Sequence, residues 1–245
     1  VGTWNHVAGA VVVPALALAL GGEITVDVLV WGSAAGIAGA VGVVALYAGF
    51  AQSSMSVVSP IAAVGSATWP VVWSVARGDI PGGLVLIGIV VGIVAIWVVS
   101  GGSRTTVVGD PVGLKYGVIS GLGFGAMLIL LSFTADGSNI WALLPARISG
   151  AVFLIILASR LGHRIHLSRR AFVLAILAGT ATVIGNGHFI ISSGIESLAV
   201  ATVLAAMFPA TTVLLAWLVL RERLTSRRVA GLALALVAVG LVAAG

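Results

Sequence analysis

The chain has 245 residues, 60% of them hydrophobic and 8% charged, with a mean hydropathy of +1.23. Twelve basic and seven acidic side chains cannot supply the charged shell of a soluble core this large, which excludes a water-soluble domain and points to a bilayer. The net charge of +5 does not mark a nucleic-acid binder, because the charges cluster in short connections between apolar runs, and the lack of cysteine excludes disulfides and thiolate metal sites.

Nine apolar runs follow one another, at about 4–20, 28–50, 54–76, 81–100, 113–134, 139–159, 170–192, 197–220 and 227–244. A bilayer span needs roughly 20 residues, so each predicts a transmembrane helix. The first run carries His6 and ends at Gly21-Gly22-Glu23, a turn sequence. The second carries Tyr47. The third has Trp69-Pro70 near its middle and gives way to Asp79-Ile-Pro81-Gly-Gly. Gly88 and Gly92 stripe the fourth, and Gly117, Gly121 and Gly125 stripe the fifth beside Phe124. Such stripes let helix backbones touch, within one chain or across a dimer. Asp136-Gly-Ser-Asn139 leads to the sixth run with Arg147. The seventh holds Gly185-Asn186-Gly187-His188, the eighth Met207-Phe-Pro209, and the ninth Gly231 and Gly240.

An internal repeat organises these runs. His6-Val-Ala-Gly-Ala-Val-Val aligns with Arg147-Ile-Ser-Gly-Ala-Val-Phe at an offset of 141. The same offset sets Tyr47 over His188. A slightly larger one, 144, sets Trp73-Ser-Val-Ala-Arg77 over Trp217-Leu-Val-Leu-Arg221. Two apolar halves related in this way suggest a carrier built by duplication. The expected division is 1–102 for the first repeat and 111–245 for the second. The second has five runs and the first only four, so the offset predicts one further helix ahead of Val1. The expected fold is an all-α integral membrane protein of nine visible helices out of ten. An odd number per repeat makes the two five-helix repeats inverted.

Arginine sets the expected orientation. Ten of the twelve basic residues lie in the connections near 100–115, 160–170 and 221–228, against Arg77 alone on the other side. By the positive-inside rule the basic side is cytoplasmic. One lysine against eleven arginines, in an Ala/Gly/Val-rich chain, fits a GC-rich bacterial genome, hence an inner membrane.

From His188 to Gly245 the order of features is distinctive. A small-polar turn, Ser192-Ser-Gly-Ile-Glu-Ser197, precedes a helix with a central proline. Trp217-Leu-Val-Leu-Arg-Glu222-Arg-Leu-Thr225 follows, then a last helix opening Val229-Ala-Gly231. This layout resembles the EamA-type repeat of the drug/metabolite transporter superfamily. Arg147, and Gly123-Phe124-Gly125, stand where that repeat carries an arginine and an aromatic-glycine pair. The first half departs from it, with His6 at the arginine position and Arg77-Gly78-Asp79 where the repeat has glutamate. The resemblance implies a ten-helix carrier that moves small metabolites, often amino acids outward, by alternating access.

Seven residues are candidates for the substrate site: Tyr47, Trp69, Phe124, Arg147, Asn186, His188 and Met207. Arg147 lies about 12 Å into its span by helical rise, where a guanidinium needs a partner or water. It is either a carboxylate anchor or a snorkelling arginine held by Asp136 or Glu196. Asn186 and His188 form the most polar patch inside any run, fit for substrate contact, proton relay or helix packing. His6 and Tyr47, their repeat counterparts with Arg147, are expected at mirror depths, unless they only belong to an interfacial belt. Trp69 and Met207 flank mid-helix prolines, whose freed carbonyls must face protein or a cavity.

Other chemistries find little support. Ser192 near His188 has no orienting acid, so no catalytic residue is expected. His163-x-x-His166 has no third ligand, so neither a metal nor another cofactor is expected. No Asp or Glu lies in the middle third of any run, which excludes the carboxylate mechanism of small cation exporters. The expected partners are a small molecule and the lipid bilayer, with no nucleic acid, for a monomer or homodimer. The alternatives are a proton-linked exporter of drug-like or nucleoside-like compounds, a membrane scaffold, and a lipid-handling membrane enzyme.

Overall fold

In an apolar solvent every backbone amide must find its partner inside the chain, and a helix achieves this residue by residue. The computed structural model describes residues 2–99, 110–134, 139–162, 169–195, 197–207 and 225–244, and all regular structure among them is helical. The helices are α1 Gly2–Leu20, α2 Val26–Gln52, α3 Met55–Ala76, α4 Gly83–Val99, α5 Pro111–Ser132, α6 Leu143–Arg160, α7 Arg169–Ile195, α8 Leu198–Ala206 and α9 Ser226–Ala244. A 3-10 turn, Ile140–Ala142, runs directly into α6. Each expected run therefore coincides with a helix, but the eighth is described only as far as Met207. Phe208, Pro209 and Trp217 lie outside the described residues, as do Asp136, Glu196 and the pair His163 and His166.

Among the described residues, six helices are long and apolar enough to cross a membrane: α1, α2, α5, α7, the stretch Val57–Ala76 of α3, and α6 with its 3-10 lead. Helix α4, with 17 residues, and the stretch Val229–Val242 of α9 are shorter. The turn glycines do what their positions demand. Gly21, Gly22 and Gly78 have φ of 86°, 108° and 86°, a left-handed conformation that terminates α1 and α3 and that a side chain would strain.

The chain forms two compact units, one of Val1–Val43 with Ala126–Ile195 and one of Val44–Gly125 with Glu196–Gly245. Each draws on both sides of the 102–111 connection. Helices α2 and α5 contribute one end to each unit.

In the first unit α1 lies against α6 and α7. Glycines on α2 admit the start of α6: Gly32 faces Pro145 and the Ala142 carbonyl, and Gly36 faces the Ala146 carbonyl and Ser149. The Ser149 hydroxyl donates to the Ser33 carbonyl at 2.8 Å. Asn139 joins two connections, donating from Nδ2 to the Glu23 carbonyl at 2.5 Å and accepting from the Trp141 amide at 3.2 Å.

In the second unit the glycine stripe of α5 meets α3. A Cβ at Gly121 would stand 2.9 Å from the Cα of Gly65, and one at Gly125 would stand 3.0 Å from the Cβ of Trp69. Gly88 and Gly92 of α4 admit Val242 and Ala238 of α9. Both stripes thus pack within the chain. Helix α5 starts with Pro111 in its first turn, and Asp110 caps it, accepting from the Gly113 amide at 2.8 Å. The other Asp110 oxygen accepts from the Ser53 hydroxyl, and Gln52 Nε2 donates to the Tyr116 hydroxyl at 2.8 Å. The end of α2 is in this way tied to the start of α5. The Ser53 hydroxyl, then the Gly113 amide, hold the Asp110 carboxyl below the ordinary carboxylate range.

Candidate functional site

The seven-residue motif that the repeat shares, starting at His6 and at Arg147, meets its own copy in the first unit. On α1 the motif reads His6-x-x-Gly9, and on α6 it reads Arg147-x-x-Gly150. Residues three apart share one helix face. Each polar side chain lies on the glycine of the other copy. A Cβ at Gly150 would stand 2.5 Å from Cδ2 and 2.6 Å from Nε2 of His6, and one at Gly9 would stand 2.8 Å from Cδ and 2.9 Å from Nε of Arg147. The contact is reciprocal: the glycines make the grooves, and the polar residues fill them.

Arg147 is 5% exposed. Its Nη1 donates to Asn5 Oδ1 at 3.4 Å, a long bond to a neutral oxygen, and among the described residues its Nη2 has no acceptor. A buried guanidinium with so little compensation costs several kcal/mol, so ordinary packing gives no reason to keep it. His6 is 8% exposed and bonds through Nδ1 to the Gly2 carbonyl at 3.0 Å. A carbonyl only accepts, so Nδ1 carries the proton and Nε2 of the neutral ring is an acceptor. On α7, Gly179 and Val183 close the same crossing, meeting the Asn5 carbonyl and Gly9. Among the candidates the sequence missed Asn5. Its signal was available, since an amide directly before His6 has only Ala146 as its repeat counterpart.

The other six candidates lie elsewhere. His188 is on an exposed face of α7, its Nδ1 bonded to the Ile184 carbonyl one turn back at 2.8 Å. Asn186 is half-buried on the same helix. The face of α7 that meets α1 is instead Gly179 and Val183, so His188 is turned away from the side on which Arg147 is held. Tyr47 is exposed and stacks edge-on with Phe50, with centroids 6.2 Å apart. The two repeat pairs therefore match in environment: His6 and Arg147 are both buried, and Tyr47 and His188 both exposed.

In the second unit, Trp69 borders an apolar cleft of about 260 Å³ between α3, α4 and α5, which Trp97, Val64 and Thr68 also line. The Thr68 hydroxyl is spent on the Val64 carbonyl at 2.8 Å, so this wall is chiefly apolar surface. Phe124 is half-buried. Met207 is buried in a core with Ala63, Ala67, Ile96 and Ala206. Arg77 lies over the ring of Trp73 at 5.9 Å.

A helical bundle with a buried, uncompensated cation at a helix crossing and an apolar cleft elsewhere has the character of a small-molecule carrier. The sequence model of the EamA-like transporter family matches residues 111–244, more than half of the chain, and the chain belongs to that family, part of the drug/metabolite transporter superfamily. The protein is therefore a multi-pass membrane protein of a family of small-molecule transporters, which are not enzymes. No curated protein matches the sequence.

Proposed function

We propose that this protein is a carrier of the bacterial inner membrane that exports small metabolites, above all amino acids, by alternating access. The observation that carries the reading is Arg147, a buried guanidinium with an unused Nη2, which is suited to a substrate carboxylate. Two inverted repeats, residues 1–102 and residues 111–245, supply the moving parts. The reciprocal seating of His6 on Gly150 and Arg147 on Gly9 supports this, because a two-fold relation between the repeats generates such exchanged contacts. In that arrangement nine helices of this chain span the bilayer. The basic connections face the cytoplasm. No nucleic acid takes part, and the working unit is a monomer or homodimer.

Proteoliposomes loaded with a panel of amino acids test the reading. Efflux of one or more of them, lost in Arg147→Gln, is the expected result; no flux of any amino acid in either direction overturns it. A cysteine at Ser168 checks the orientation. It should resist a membrane-impermeant maleimide in intact cells, and ready labelling reverses the topology.

The second reading is a proton-linked exporter of drug-like or nucleoside-like compounds with His188 as relay, favoured by the exposure of that ring. Transport of such a compound, with loss of its pH dependence in His188→Phe, would select it.

A further inference from the structure

The crossing of α1 and α6 holds more than a cation. Arg147 supplies an unused donor, Nη2. His6 supplies an unused acceptor, because its Nδ1 proton is committed to the Gly2 carbonyl and Nε2 is left with a lone pair. Asn5 Oδ1 is a second acceptor, occupied only by the 3.4 Å bond from Nη1. The two glycine seats lie three residues apart on each helix, about 4.5 Å of rise, and Arg147 Nη1 reaches to Asn5 beside His6, so donor and acceptors belong to one crossing.

We infer that this crossing is a zwitterion site, in which Arg147 takes the carboxylate of an α-amino acid, His6 Nε2 and Asn5 Oδ1 take its ammonium, and a proton on His6 competes with that ammonium. The inference rests on the amino-acid carrier reading and adds the coupling ion to it. The two charged groups of an α-amino acid share one carbon, so they demand a donor and an acceptor side by side. A simple anion site would surround Arg147 with further donors, whereas its described neighbours here are acceptors and glycines. Binding of the substrate ammonium expels the proton from His6, and protonation of His6 expels the ammonium, because two cations cannot share the acceptor. The substrate and the proton therefore occupy the site in turn, which is the requirement for exchange. In an energised cell, entry of the proton drives the amino acid out.

His6 is surrounded mostly by uncharged groups. On α6 the one charged group facing it is Arg147. The α7 residues at the crossing, Gly179 and Val183, carry no charge, and neither does the 3-10 turn. On α2, the Gly36 carbonyl approaches Gly150, and Asp27 is exposed at the far start of that helix. Arg160 and Arg169 end α6 and begin α7, and His188 is on the exposed face of α7. Both His6 and Arg147 are buried, so the site is occluded, and ligand enters when α1 and α6 part.

The test is calorimetric binding to the purified full chain of three probes with one side chain: L-leucine, isocaproate without the ammonium, and isoamylamine without the carboxylate. L-leucine should bind at least tenfold more tightly than either fragment. Its affinity should fall up to tenfold per unit as pH drops through the range in which His6 takes up a proton, and within that range binding should release protons into a weakly buffered solution. His6→Gln should bind with no pH slope between pH 5 and 8. Isocaproate binding as tight as L-leucine, or tightening as pH falls, makes this a plain anion site and overturns the inference. Failure of L-leucine to bind, binding without proton release, or an unchanged slope in His6→Gln also overturns it. The proton count is made on the parent protein, so it decides even if the variant does not fold. Amino-acid flux without proton release sinks this inference and leaves the carrier; binding with proton release but no flux sinks the carrier and leaves the site.

Discussion

Two helix crossings in this protein are built by the same device and filled in opposite ways. In the second unit, Gly88 and Gly92 of α4 receive Val242 and Ala238 of α9, and Gly231 receives Val99 in return. In the first unit, Gly9 and Gly150 receive Arg147 and His6. Glycine at helical spacing therefore signals close approach and nothing more. What lies in the groove decides whether the crossing is structural or chemical. The apolar crossing gains dispersion contacts that need no orientation. The polar one gives up several kcal/mol to hold a charge where lipid would refuse it, and stability given up in this way is commonly tied to function.

The sharpest way to break the comparison is to fill both grooves. Gly150→Ala and Gly88→Ala should each destabilise the protein by about 1–3 kcal/mol through overpacking, read from thermal unfolding in detergent. Only Gly150→Ala should also abolish transport per folded molecule, because its Cβ displaces the His6 ring. Equal loss of activity in both would mean the polar crossing is no more than packing. Next in size, Arg147→Met should stabilise the fold by about 1–4 kcal/mol while removing transport, since it replaces an uncompensated buried charge with an apolar stem. A drop in unfolding temperature would show that the guanidinium is better partnered than Nη2 indicates. Arg147→Lys should fold and weaken a carboxylate substrate about tenfold or more, because the planar fork is lost; parent-like affinity would reduce Arg147 to a snorkelling anchor.

The smallest effect belongs to Asp110, at a helix start where the polar groups are all satisfied. Its folded carboxyl is held below the unfolded range near 3.9, so its contribution is full above that range and fades as pH falls through the lowered folded value. Asp110→Ala should lower the unfolding temperature slightly at pH 7, and the difference from the parent should vanish in strong acid. A difference that persists there would mean that Ser53 and Gly113 do not act through the carboxylate.

The helices, their turns and the glycine contacts were legible because length, Gly-Gly pairs and i, i+4 glycines are local signals. The polar crossing was legible in part. The repeat paired His6 with Arg147, but that each would be seated on the other's glycine depends on how α1 and α6 cross, which no local signal gives. Which way His188 points was not legible at all. A helix that is apolar all round has no polar face to mark its inner side, so the rotation of α7 is set by Gly179 and Val183 meeting α1. Met207 was chosen for its mid-helix proline, and its burial in an alanine-rich core depends on neighbours from three other helices. Asn5 escaped notice because its role depends on a residue 142 positions away.

The uncompensated guanidinium also makes the protein sensitive to voltage. A charge held inside a span feels the transmembrane field, and moving one elementary charge across it is worth about 2.3 kcal/mol per 100 mV. If α1 and α6 part asymmetrically, Arg147 carries its charge through some fraction of that drop with no bound anion to cancel it. Reorientation of the empty protein would then displace charge, and reorientation with a carboxylate on Arg147 would displace less. A capacitive current on a supported membrane, damped by saturating isocaproate, which brings a carboxylate and no ammonium, and absent in Arg147→Met, is the electrical signature of that one buried side chain.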